Sequence, residues 1–94
     1  MIHLLEITAD LTPDKLKKQA RKLAMTGGYE LTLSSDLGSH DLTRLAEMFI
    51  EELEKNYPEK DSRRRASNAA RVLKLVSEHP ATDQLLIKRL KKLL

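Results

Sequence analysis

"IHLLEITADLTPDKLKKQARKLAMTGGYELTLSS", residues Ile2 to Ser35, decides the fold class, because it holds two short apolar runs separated by one amphipathic helix. The first run, Ile2 to Thr8, is rich in branched residues and apolar on both alternating sets, Ile2 with Leu4 and Leu5 with Ile7. It reads as a strand with cover on both faces. Thr12 then stands as N-cap before Pro13 at the first helical position, where a missing N–H costs nothing. Leu16, Ala20, Leu23 and Ala24 follow at i, i+4, i+7 and i+8, while Lys15, Lys17, Lys18, Arg21 and Lys22 fill the positions around them. "TGG" at Thr26 to Gly28 closes the helix, since glycine takes the left-handed conformation of helix C-termini. "YELTLSS" alternates Tyr29, Leu31 and Leu33 with Glu30, Thr32 and Ser34, which predicts a second strand with the tyrosine and leucines inward. Strand, helix and strand in that order make a βαβ unit, parallel and with a right-handed crossover.

The remainder reads as helical. "SDLGS" is a loop, and Ser39 is placed to cap a helix whose stripe is Leu42, Leu45, Ala46, Phe49, Leu53 and Tyr57, with Glu47, Glu51 and Glu54 opposite. "NYPEKD" breaks it, because proline disfavours helical geometry at the residue before it. A third helix is expected from about Glu59 to Glu78, "HPAT" stops it, and Thr82 can cap a final helix carrying Leu86, Leu90, Leu93 and Leu94. The expected architecture is α/β and helix-dominated, β-α-β-α-α-α, with a small two-stranded parallel sheet packed by four helices. Residues 1–94 form a single domain in this reading, since no repeat or long linker divides them.

Composition narrows the function. Hydrophobic residues make up 40% of the 94 and charged residues 33%, too apolar for a disordered chain. Aromatics are only 3%, so the core must be aliphatic and no stacking platform for bases is expected. The chain has no cysteine, which removes disulfides, thiol catalysis and cysteine-based zinc sites, with a reducing compartment such as the cytoplasm as the default. No apolar run approaches the roughly 20 residues of a membrane span, so a soluble protein without membrane contact is expected.

"DSRRRASNAARVLK", Asp61 to Lys74, is the stretch closest to a chemistry. On a helix, Ala66, Ala69, Ala70, Leu73 and Val76 form one face, and Arg64, Asn68, Arg71 and Leu75 line up on the other, flanked by Arg63, Ser67 and Lys74. Arginine to guanine and asparagine to adenine are preferred base contacts, so Arg64, Asn68 and Arg71 are candidates for groove reading, with Arg63 and Lys74 on phosphates. The competing explanation is a solvated face paired with the helix before it. Residues 42–59 carry five acids against two bases, whereas 61–74 carry five bases against one acid. That explanation is preferred, because the whole chain is only +3 and the turns do not match a helix-turn-helix. Weak, sequence-indifferent nucleic-acid binding at low salt is the most the arginines are expected to give.

No catalytic, cofactor-binding or metal site is expected. Ser39, His40 and Asp41 are triad residue types, but neighbours at a helix start diverge where a triad must converge. His3, His40 and His79 have no partner at helical ligand spacing. "TGGYE" and "DLGSH" lack the glycine pattern of a phosphate cradle. "LIKRLKKLL" has the basic and leucine residues of a membrane-surface helix, yet the same set suits a core-facing helix with cations at its C-terminus.

Helix starts with plausible caps, stops at Gly or Pro, lysine-, arginine- and glutamate-rich surfaces and a leucine core are consistent across the whole chain. In this the sequence resembles computationally designed idealised α/β proteins, a resemblance of style and not of motif. It implies a stable scaffold that is not an enzyme, without a natural ligand, that melts above about 90 °C. Neither strand carries Lys or Pro to blunt an edge, so a homodimer joined edge to edge is the alternative to the expected monomer, and an interaction module pairing through that edge is a further reading.

Overall fold

The computed structural model describes residues 5–29 and 31–94. Ile2, His3, Leu4 and Glu30, all used above, lie outside the described residues. The elements are β1 (Leu5–Ile7), α1 (Pro13–Thr26), β2 (Leu31–Leu33), α2 (Ser39–Asn56), α3 (Arg63–Ser77) and α4 (Gln84–Lys91). This is the helix-dominated α/β order expected from the sequence. The strands pair in parallel, Leu5 with Leu31, Glu6 with Thr32 and Ile7 with Leu33.

The βαβ unit forms for the reasons its residues suggest. Thr12 is extended, and its Oγ1 accepts the Lys15 N–H at 3.4 Å, while Pro13 starts the helix. Leu16, Ala20, Leu23 and Ala24 are all buried. Gly27 closes α1 at φ +68°, its N–H donating to Leu23 O at 2.9 Å. Asp10, in the turn before α1, has its carboxyl held down to about 2 by hydrogen bonds from Lys15, at 2.8 Å, and from the Thr8 hydroxyl.

Four local expectations are corrected. The N-cap of α2 is Gly38 and not Ser39, because Asp41 reaches back and accepts the Gly38 N–H at 3.0 Å. Helix α3 begins at Arg63 and not near Glu59, since Ser62 is extended and its Oγ accepts the Arg65 N–H at 3.3 Å. Asp83, not Thr82, caps α4, accepting the Leu86 N–H at 2.9 Å. Tyr29, expected to face inward, is 62% exposed, because it belongs to the turn that follows α1.

Helix α2 packs along α1, and α3 lies against α1, β2 and α4, which in turn touches α2. The core joins Ile7, Leu31, Leu37, Leu42, Phe49 and Leu53 with residues of α1, α3 and α4 in one cluster. Ala20, Ala24 and Ala69 have no accessible surface, so backbones approach closely where they meet. The loop between α3 and α4 is tied to the end of the sheet by His79. Its Nε2 donates to Ser34 O at 2.7 Å, and its Nδ1 accepts the Ala81 N–H at 3.0 Å.

Candidate nucleic-acid interface

Once Ser62 sets the start of α3, Arg63, Arg64 and Arg65 become its first three residues. No acidic residue accompanies them in that turn. Three guanidinium groups therefore stand at the positive end of the helix dipole, where a cation costs about 0.3–1 kcal/mol. It is a place where the chain departs from the idealised pattern.

The arginines divide by what they touch. Arg65 is half-buried and donates from Nη1 to Tyr57 O at 3.1 Å, fixing the start of α3 to the end of α2. Arg63, Arg64, Arg71 and Lys74 are exposed, and among the described residues none makes an ion pair. The expected charge pairing between the second and third helices is thus corrected. Glu47 of α2 is taken by Arg89 of α4 at 2.9 Å, and the principal neighbours of α3 are α1, α4 and β2.

The phase of α3 differs from that expected. Ala66 and Ala70, assigned to the inner face, are exposed, whereas Asn68, Ala69, Val72 and Val76 are buried. Asn68, a candidate for reading adenine, is 6% exposed and donates from Nδ2 to Ala24 O at 2.9 Å. Ala24 lies in the last turn of α1, where carbonyls lack partners within the helix, so Asn68 caps that helix from outside. A side chain so engaged is not presented to a base edge. The glycine beside it makes the contact feasible: a Cβ on Gly27 would lie 2.9 Å from Asn68 Oδ1 and 3.1 Å from its Cα.

Arg64, Ser67 and Arg71 remain outward and, with Asn68, Met25 and Thr26, line a cavity of about 230 Å³ where α3 crosses the end of α1. Helix α1 has no basic residue in its own last turn. Arg64 and Arg71 supply positive charge there from α3, and the roughly half unit of negative charge at a helix C-terminus leaves most of their two charges uncompensated. Arg21 and Lys22, one turn back from Met25 and Thr26, are exposed too, so the basic positions of α1 continue toward those of α3. A larger groove, of about 780 Å³, lies between α2, the start of α3 and the end of α4. Two of its cations, Arg65 and Arg89, are already engaged as described, and Glu54 and Asp61 also line it.

The other candidates stay apart. Ser39 and His40 are exposed at the start of α2, while the Asp41 carboxylate is occupied by Gly38. Among the described residues no three His, Asp or Glu side chains are grouped to hold a metal ion, and no helix is long and apolar enough to cross a membrane. Compared with known protein families, curated proteins and solved structures, the chain matches none.

Proposed function

We propose that the protein binds nucleic acid without sequence preference, through phosphate contacts from Arg63, Arg64, Arg71 and Lys74, with Arg21 and Lys22 extending the surface. The observation that carries this reading is that the exposed cations of α3 have no acidic partner among the described residues. Asn68, the residue best suited to base recognition, is engaged by α1, which favours backbone contacts over base reading. With a chain charge of only +3, affinity should be modest and strongly salt-dependent.

Fluorescence anisotropy against short DNA at about 50 mM salt should give measurable binding that fades toward physiological ionic strength. Arg64→Ala with Arg71→Ala should weaken it uniformly across sequences and lower the salt slope by about 2, one for each phosphate no longer neutralised. Binding that ignored these two residues would remove the α3 surface from consideration.

A second reading, a stable idealised scaffold without a ligand, is favoured by the side-chain caps on α1, α3 and α4. It expects one cooperative melt by circular dichroism above about 90 °C, and a midpoint near 50 °C would count against it.

A further inference from the structure

We infer that the cavity between Arg64 and Arg71 seats one phosphate of a single-stranded nucleic acid, whose neighbouring base stacks on Tyr29. The inference rests on the phosphate-binding function proposed above and adds which form of nucleic acid is preferred.

The cavity is concave and small. Arg64, Ser67 and Arg71 stand at i, i+3 and i+7, on one face of α3, and among the described residues no hydrogen bond or ion pair occupies any of the three side chains. Two guanidinium groups with a hydroxyl between them supply donors for the oxygens of one phosphate. Met25 of α1, 49% exposed, lines the same cavity. A duplex presents its phosphates on a stiff rod, whereas a single strand can bend to place one in a recess of about 230 Å³.

Tyr29 gives the second, independent observation. Of the three aromatic residues, Phe49 has no accessible surface and Tyr57 is half-buried against the core, but Tyr29 is 62% exposed. It follows the Gly27–Gly28 turn directly, and a Cβ on Gly27 would lie 3.1 Å from Arg71 Cδ, so the backbone of Tyr29 is two residues along the chain from the point where that turn meets the arginine pair. Its backbone N–H is tied to Thr26 O at 3.4 Å, and Thr26 is itself part of the cavity wall. Single-strand binding combines a cationic track with an aromatic face on which any base can stack, and the arginine pair and this turn supply both.

The test compares fluorescein-labelled oligothymidylate with a duplex of equal length at low salt, using the whole chain, with circular dichroism to verify that each variant is folded. The single strand should bind more tightly and quench tyrosine fluorescence, a signal that survives Tyr57→Phe but is lost in Tyr29→Phe. Tyr29→Ala should weaken single-strand binding about tenfold and leave duplex binding unchanged, and Tyr29→Phe should retain most of the affinity because the ring remains. Arg64→Ala with Arg71→Ala should weaken both. Equal affinity for the two forms, with no effect of Tyr29→Ala, would overturn the inference while leaving phosphate binding in place. Failure of both forms to bind at low salt would overturn the inference and the phosphate binding it rests on.

Discussion

Gly27→Ala is expected to destabilise the protein by about 3 kcal/mol, a large effect for the addition of one methyl group. Two costs combine. At φ +68° an L-residue loses about 1–2 kcal/mol to the clash of Cβ with its own backbone. The new Cβ would also stand 2.9 Å from Asn68 Oδ1 and 3.1 Å from Asn68 Cα, the second of which is backbone and cannot turn aside. If α3 or the Asn68 side chain shifts to make room, the 2.9 Å hydrogen bond to Ala24 O is weakened, and a buried carbonyl left unpaired costs about 1–3 kcal/mol. Gly28→Ala is the control. Its φ is +85°, but its Cβ would meet only the ends of the Leu75 and Leu23 side chains, at 3.3 and 3.5 Å. Urea denaturation should therefore place Gly28→Ala between the parent protein and Gly27→Ala. Equal losses would show that the approach of α3 to the α1 terminus adds nothing to the backbone strain.

Phe49→Ala is expected to cost about 3–5 kcal/mol, a large fraction of the roughly 5–15 kcal/mol that holds a domain of this kind together. Phe49 lies in the middle of α2, has no accessible surface, and is the only phenylalanine in a core otherwise aliphatic. Truncation leaves a void among residues that the surrounding helices hold in place, so collapse around it is incomplete. Leu85→Ala removes an apolar side chain that is 71% exposed and should change stability by less than about 0.5 kcal/mol. The denaturation midpoints of the pair measure how far α2 is anchored. A loss below about 1 kcal/mol for Phe49→Ala would mean that α2 does not face a tightly packed core.

Strong stripes survived the passage from sequence to structure, and weak ones shifted. In α2 the sequence pattern marks Leu42, Leu45, Ala46, Phe49, Leu53 and Tyr57; the first five are buried, Tyr57 is the half-buried residue that ends the helix, and Glu52 is buried without having been marked. Large apolar side chains leave little freedom in how such a helix rolls. In α3 the expected inner face was Ala66, Ala69, Ala70, Leu73 and Val76; Ala69 and Val76 are buried and Leu73 packs against the core, but Ala66 and Ala70 are exposed, since alanine gains little from burial and loses little by exposure. Its true phase is set by Val72, Val76 and the hydrogen bond of Asn68, whose partner is 44 residues away. Of the expected outward row, Arg64 and Arg71 are exposed, whereas Asn68 is buried and Leu75 packs against the core. The arginines' lack of partners on α2 was not visible, because charge balance between two segments does not say whether those segments touch. His79 gave no signal as the link to Ser34, 45 residues distant, for the same reason.

The sequence by itself determined the element order, the parallel pairing of the strands, the cap and proline that begin α1 and the glycine that ends it. Apart from the strand pairing, which follows from the single helix between the strands, each of these depends on residues within about four positions of one another, the reach of a helix turn or a cap. Only the tertiary structure decided that Asn68 faces α1 and not a base, and that Arg64 and Arg71 frame a cavity at the end of α1. It also left Tyr29 exposed in the turn after α1. The physical reason is that a buried polar group or a close backbone approach is defined by a partner brought near through packing, and local sequence pattern carries no record of which partner that will be.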